Sequence, residues 1–523
     1  MPVLVRFYFV LISIVLTVSQ VSAESGVTKV NVTAHKIEIS IAPISGPCDL
    51  VELSQGETNF IGGRTSLIRL DKRKISLDRF AGTRDRLYSG FLAIQNERPL
   101  GTIHYAEEIK NISRHSDPYP QVKSKKGLQV QMVDDALTLG VKHAAINFDF
   151  GRMVSLKPAT NDLSWPMDGR TFHFQRSYVE HTDARIKRLS DAGVVITLIL
   201  LNYENADEQQ NKILLHPNYD KACPQNLSAF NTTTPEGLAW FKACMEFLAD
   251  RYSESGFPHG RVANYIVGNE VNSHWWWANM GHVTREEFVN DYARTVRVCN
   301  TAVRKFSSSA RVFISLEHHW NIHFPSGDDT QAFAGHPFID RFNEVVKAGG
   351  DFDWNLAFHP YPENLFNARF WEDKTATFSA DTPRITFKNL ELLTQYFKRA
   401  PLLYHGKPRH IILSEQGFHS DGTPVGEELQ AAAYCYAFYK VDRMEGIDSF
   451  ILHRHVDHPA EGGLNLGLWR RNGDSAEPLS KKPLYEVFRS ADTPQWKQSF
   501  KFALPIIGIA SWEELAQHGR SKK

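Results

Sequence analysis

Apolar positions change their spacing along the chain. Over residues 27–80 they form short, loosely alternating runs, Val27–Val32 and Lys36–Ile41, punctuated by Gly46-Pro47, Gly56 and Gly62-Gly63. A period of two marks strands with one buried face, so this region predicts a small β-rich module. From about residue 84 short apolar runs alternate with segments of helical spacing. The strands predicted are Leu87–Ile94, His143–Phe150, Val194–Leu201, Val262–Gly268, Val312–Leu316, Trp354–Phe358, His410–Leu413 and Ile447–Leu452. Helices are predicted over Leu128–Leu139, Phe174–Leu189, Pro235–Arg251, Thr284–Phe306, Pro337–Lys347, Ile385–Phe397, Glu427–Met444 and Lys482–Arg489. Thr234 before Pro235 reads as an N-cap with a first-turn proline, and Thr284-Arg-Glu-Glu287 as a capping box. Runs such as Val194–Leu201 are apolar without alternation, as in parallel strands covered on both faces. Eight βα units is the number that closes a (β/α)8 TIM barrel. A doubly wound open sheet would carry a Gly-rich phosphate turn after a strand, and none is present. The predicted organisation is a signal segment over 1–23, a β-rich N-terminal module over 24–83, the barrel over 84–490 and a C-terminal extension over 491–523.

Composition narrows the classes of function. Lys+Arg and Asp+Glu both number 59, so the formal net charge is zero and no basic excess favours nucleic acid. Aromatic residues make up 12%, with 11 Trp, which suits stacking against the CH face of a sugar ring as well as a large core. Arg6, the apolar stretch 7–18 and Val21-Ser22-Ala23 have the form of a secretory signal cleaved before Glu24. The protein is therefore expected to be secreted or periplasmic, with no membrane span after signal removal. Of the five cysteines, Cys244, Cys299 and Cys435 lie in apolar helical stretches, and Cys223 with Cys244 is the one pairing considered. No Cys-x-x-Cys pair suggests a structural zinc.

Candidate chemistry emerges from the ends of the strands, because barrel active sites form at the C-terminal rim. The second predicted strand runs into Asn147-Phe-Asp149 and the third into Asn202-Tyr203. The fourth ends at Gly268-Asn269-Glu270, and the fifth at Glu317-His318-His319-Trp320. The sixth ends at His359-Pro-Tyr361, the seventh at Ser414-Glu415-Gln-Gly417 and the eighth at His453-Arg-His455. Ionisable groups gathered on one rim point to a site. Strands four and seven face each other across an eight-stranded barrel, so Glu270 and Glu415 can converge near its axis. Paired carboxyl groups are what glycoside cleavage requires. Asn-Glu also occurs at Asn96-Glu97, which follows the first predicted strand, and at Asn343-Glu344, inside a predicted helix.

Tyr265-Ile-Val-Gly-Asn269-Glu270 with Ile411-Ile-Leu-Ser-Glu415-Gln-Gly417 resembles the clan A retaining glycoside hydrolases, in strand rhythm over residues 84–490. The resemblance implies Glu270 as acid/base, Glu415 as nucleophile and Asn269 as a hydrogen-bond partner of the sugar 2-hydroxyl. It implies that Tyr361, in a His359-Pro-Tyr361 element, orients the nucleophile. It favours an equatorial linkage in a carbohydrate substrate and needs no cofactor. Members of the clan often end strand eight with Trp, whereas this chain has His453-Arg-His455 and places Trp469 further on. The whole chain, including Arg84-Asp-Arg-Leu-Tyr-Ser89, also resembles a secreted bacterial family of uncharacterised function.

Other readings compete. Asn202, His319 and Trp276 are further candidates for substrate binding; for the Trp275-Trp276-Trp277 loop packing onto a neighbour is the alternative, and for His359 and Tyr361 hydrogen-bonded rim packing. His318 and His319 point to opposite sides of a strand, so one at most faces inward. The alternative for Glu270 and Glu415 is a structural ion-pair network, which also recruits carboxylates. His453 and His455, with Asp457 and His458, suggest a metal-dependent hydrolase instead. A non-catalytic glycan-binding barrel is the contrary class.

Overall fold

The computed structural model describes residues 26–54, 57, 68–70, 72–110 and 112–518. The segment read as a signal, residues 1–23, lies outside the described residues. Eight parallel strands close a barrel: β1 (Lys126–Gln129), β2 (His143–Asp149), β3 (Val195–Leu201), β4 (Asn264–Val267), β5 (Arg311–Glu317), β6 (Trp354–His359), β7 (Ile411–Leu413) and β8 (Ser449–Leu452). Closure is made by β1 against β8, in register from Lys126↔Phe450 to Leu128↔Leu452. Among the described residues no helix is long and apolar enough to cross a membrane.

The first predicted barrel strand is corrected. Its observed counterpart, Gly90–Gln95, lies in an antiparallel sheet between Cys48–Leu53 and Arg98–His104. Asn96 and Glu97 both adopt positive φ, 50° and 61°. They make the two-residue hairpin turn between Gly90–Gln95 and Arg98–His104, so no crossover helix follows. The Asn96-Glu97 competitor is thereby a turn of the N-terminal module. The true first strand, Lys126–Gln129, overlaps a predicted helix that is observed only as Val133–Thr138. Lys-Gly-Leu-Gln carries one apolar side chain, too few for a strand pattern to be visible. A second sheet places Lys36–Ile41 between Val27–Val32 and Lys74–Asp78, antiparallel to both, and adds Glu108–Ile109 parallel to Val27–Val32 at the other edge. The β-rich region thus continues past residue 83. Tyr88 donates to Glu246 Oε1 (2.6 Å) and Thr102 to the Ala348 carbonyl (2.6 Å), tying it to the barrel's outer helices.

Helix ends follow their local chemistry. Thr234 caps Pro235–Arg251 through the Gly237 amide, and Thr284 with Glu287 forms a complete capping box on Arg285–Phe306. The predicted helix 385–397 is shorter, Glu391–Tyr396. The side chain of Asn389 accepts from the Thr386 amide and donates to the carbonyls of Thr377 and Arg384, offering the backbone a turn instead. All five cysteines are free and buried. The Cys223–Cys244 pairing is absent: Cys244 faces the core from Pro235–Arg251, whereas Cys223 lies 3.4 Å from the Tyr219 hydroxyl in the loop after β3.

The barrel interior is a packed layer, not a channel. Ala145, Ile199, Ile266, Phe313, Ala357, Ile412 and Ile451 form one buried cluster inside the ring. Side chains two positions further along a strand share its inward face. Glu317, His359, Ser414 and His453 carry this parity beyond Phe313, Ala357, Ile412 and Ile451, and so stack upon that layer at the C-terminal rim.

Candidate active site

The chain bends sharply after β4. Gly268 takes φ 78°, and Glu270 itself sits in the left-handed region at φ 41°, ψ 49°. Such a backbone costs a non-glycine residue about 1–2 kcal/mol, and residues held this way concentrate at functional sites. The Glu270 amide is fixed by donating to Ser315 Oγ (3.0 Å), on the inward face of β5. Its carboxylate turns toward the axis, where Oε1 lies 2.7 Å from His359 Nδ1. His359 Nε2 lies 3.0 Å from Ser414 Oγ, so the imidazole spans from β4 to the end of β7. The next residue, Glu415, accepts from the Tyr361 hydroxyl at 3.2 Å. One polar atom from each of Glu270, His359 and Glu415 lies within 4.8 Å of the others.

Burial and neighbouring charge act together on Glu270 and His359. Burial raises the Glu270 pKa; the charges of Glu415 and Glu317 add to this, and His359 opposes it through its hydrogen bond and charge. Burial alone would depress His359, but the hydrogen bond to Glu270 and the surrounding carboxylates outweigh it and hold the imidazole above its ordinary value. Burial, then the charge of Glu415, pushes the Tyr361 phenol well up, so it remains a donor. Glu270 is 9% exposed and Glu415 is half-buried.

A cleft of about 780 Å³ opens on the rim, bordered by Gln129, Tyr203, Asn269, Trp277, Glu415 and His453 among others. Asn269 and Glu415 therefore face the cleft, with Glu270 and His359 packed immediately behind. Three predicted residues lie elsewhere. Asn202 is buried and donates to the carbonyls of Leu214 (2.8 Å) and Ala229 (3.2 Å), pinning the long loop after β3. Trp276 packs edge-on against Phe324, 4.7 Å between ring centres, in the loop after β5. Its neighbour Trp277 borders the cleft and packs on the inner layer; sequence order in a one-turn helix does not reveal which ring turns inward. His319 Nδ1 lies 2.6 Å from Glu317 Oε2.

From sequence, Glu317 stands within Glu317-His318-His319-Trp320, a strand end that is a candidate for substrate contact, with no role of its own. Its carboxylate accepts from Asn272 Nδ2 (2.6 Å), Ser273 Oγ (3.1 Å), the His319 amide (2.8 Å) and His319 Nδ1. Burial opposes its charge, yet His319 and His318 overcome this and hold its pKa at about 2. It thus anchors Asn272 and Ser273, just beyond Glu270. Its alternation with Ser315 along β5 was the available signal.

Among the described residues the His453/His455 metal reading finds no convergent site. His455 Nδ1 accepts from the amides of Gln131 and Met132, and Nε2 lies 2.8 Å from Asp135. Asp457 is taken by Lys482 (2.7 Å) and the Gly467 amide, and His453 by Gln129 and Glu461. Trp469 also turns to Asp135, 2.9 Å from its indole nitrogen, and does not border the cleft. Two groups of potential ligands do cluster among the described residues, Glu270/His359/Glu415 and Glu317/His318/His319. In the first both imidazole nitrogens are already engaged. In the second four donors already satisfy the carboxylate.

Fold and rim together define a (β/α)8 barrel with paired carboxylates at the C-terminal ends of its fourth and seventh strands. Residues 118–515 match a family of unknown function, DUF5722, and the chain belongs to that family. No curated protein matches the sequence. Among solved structures, a family 39 glycoside hydrolase from the gut symbiont Bacteroides cellulosilyticus WH2 is 16% identical, with a TM-score of 0.44 over 90% of this chain and 80% of that one. A β-glucosidase from Pyrococcus furiosus is 14% identical (TM-score 0.45; 72% and 86% covered). A family 1 β-glucosidase from Thermotoga maritima is 12% identical (TM-score 0.42; 68% and 84% covered).

Proposed function

We propose that the protein is an exported glycoside hydrolase that cleaves a glycan with retention of anomeric configuration. The observation that carries this reading is the convergence of Glu270 and Glu415, with an oxygen of each within 4.8 Å of the other. Retaining enzymes hold their carboxyl groups about 5–5.5 Å apart, whereas inverting enzymes need about 6.5–9.5 Å to admit a water. Glu415, half-buried and held by Tyr361, is the nucleophile. It attacks the anomeric carbon as the glycosidic oxygen departs, taking the Glu270 proton. Glu270 then removes a proton from water, which displaces Glu415 and restores both groups. Raised by burial, Glu270 is suited to carry that first proton. Asn269 is positioned on the cleft wall to bind the sugar.

The test uses a panel of glycans and activated 2-fluoro glycosides. The expected result is a covalent adduct on the Glu415 peptide by mass spectrometry, and a first-formed product of retained configuration by NMR. Turnover surviving in both Glu270→Ala and Glu415→Ala sinks the reading, and loss of activity to chelators favours a metal mechanism.

The His359 contact gives a prediction of defined sign. His359 lowers the Glu270 pKa by hydrogen bond and charge. His359→Gln removes the charge, so the alkaline limb of the kcat/KM profile should move to higher pH while kcat falls roughly 10- to 100-fold from lost orientation. An alkaline limb that stays in place or moves down in the variant contradicts the assigned coupling.

A further inference from the structure

The helix that follows β2, Arg176–Asp191, carries four Arg or Lys side chains. Three have acidic partners: Arg176 with Glu180 (2.8 Å), Lys187 with Asp191 (2.7 Å) and Arg188 with Asp134. Among the described residues no carboxylate pairs with the fourth, Arg185. The helix's remaining acid, Asp183, is occupied by Arg251 and Tyr252. Arg185 makes one hydrogen bond, from Nη2 to the Val130 carbonyl at 2.6 Å, leaving most of its five donors unengaged.

Arg185 is also half-buried, and it borders the same cleft as Asn269 and Glu415. Beside it stand His181, one turn earlier on the helix, and Gln129 and Gln131 at the end of β1. The other cleft guanidinium, Arg454, is neutralised by Glu461. Burial draws the Arg185 pKa down, as expected of a cation removed from water without a counter-charge. Burying a lone charge is costly, and proteins ordinarily pair it. A guanidinium fork also matches the geometry of carboxylate and sulfate oxygens.

We infer that the β1 side of the cleft is a subsite for an anionic sugar, with Arg185 receiving its carboxylate or sulfate and His181 and Gln131 flanking it. This rests on the glycosidase reading and narrows it to acidic glycans. A carboxylate bound by Arg185 would leave the roles of Glu270 and Glu415 as assigned.

The experiment measures binding by calorimetry in the Glu415→Ala background, where turnover does not interfere. The probes are a short oligouronide, its carboxyl-reduced neutral counterpart and a sulfated oligosaccharide. Expected is a preference of roughly 10- to 100-fold for a charged probe over the neutral one, the size of a charge-assisted hydrogen bond. The better of the two charged probes distinguishes carboxylate from sulfate. Arg185→Met should erase the preference and Arg185→Lys restore part of it, with unchanged melting curves. Equal binding of charged and neutral probes, binding of none, or a preference that survives Arg185→Met overturns the inference. Cleavage of neutral glycans with no acidic preference would overturn it and leave the glycosidase reading standing. Acidic preference without cleavage or trapping by wild type would uphold the subsite and sink the glycosidase reading.

Discussion

Glu415→Ala is expected to reduce kcat by at least about 10⁴-fold on any glycan the wild type cleaves, because in the proposed mechanism Glu415 forms the covalent intermediate. Its position is built by Tyr361, which donates to it, and by β7, whose Ser414 turns inward to His359. Glu270→Ala should behave differently. Substrates with good leaving groups should lose little in the first step, because departure then needs no proton, and the second step should slow by about 10²–10⁴-fold. Added azide separates the roles by stereochemistry. In Glu415→Ala it replaces the missing nucleophile and gives a glycosyl azide of inverted configuration. In Glu270→Ala it attacks the intermediate on Glu415 and gives retained configuration. Product NMR reads this directly, and the opposite pattern would exchange the two assignments.

The second large effect concerns stability. Glu317 is buried, accepts four hydrogen bonds and is held at about 2 against an ordinary 4.5. Glu317→Ala leaves Asn272, Ser273 and His319 without their acceptor, a loss on the order of 3–5 kcal/mol. A carboxyl lowered by folding stabilises the native state above its unfolded pKa, and this contribution fades as pH falls through the folded value. The gap in urea midpoint between wild type and Glu317→Ala should therefore be full at pH 7 and narrow between about 4.5 and 2. A gap independent of pH would mean that packing, not charge, anchors the turn beyond Glu270. Activity should fall with stability, because Asn272 and Ser273 follow Glu270 in one turn.

Sequence and structure contributed unequally to this picture. Seven of the eight barrel strands were legible as short apolar runs, because parallel strands covered on both faces have few polar side chains to interrupt them. The same property hid their orientation. Nothing along β6 announces that His359 points inward, and along β5 only the two-residue spacing of Ser315 and Glu317 does. The first barrel strand was missed because Lys126–Gln129 is four residues long and held by pairing with β8, more than 300 positions away. Its place in the count was taken by Gly90–Gln95, whose local pattern is as strand-like but whose hairpin turn sends it back into the N-terminal sheet.

What the sequence determined by itself was the alternation of strand and helix, the caps that begin Pro235–Arg251 and Arg285–Phe306, and carboxylates at the ends of two strands. These are local matters of burial period and side-chain chemistry. Only the tertiary structure decided that Glu270 and Glu415 meet, and that His359 bridges Glu270 to Ser414. It alone turned Trp277 and not Trp276 toward the cleft, and left Arg185 without an acidic partner there. Each of these depends on which strand closes against which, and on the inward parity that ring closure imposes on side chains far apart in the chain.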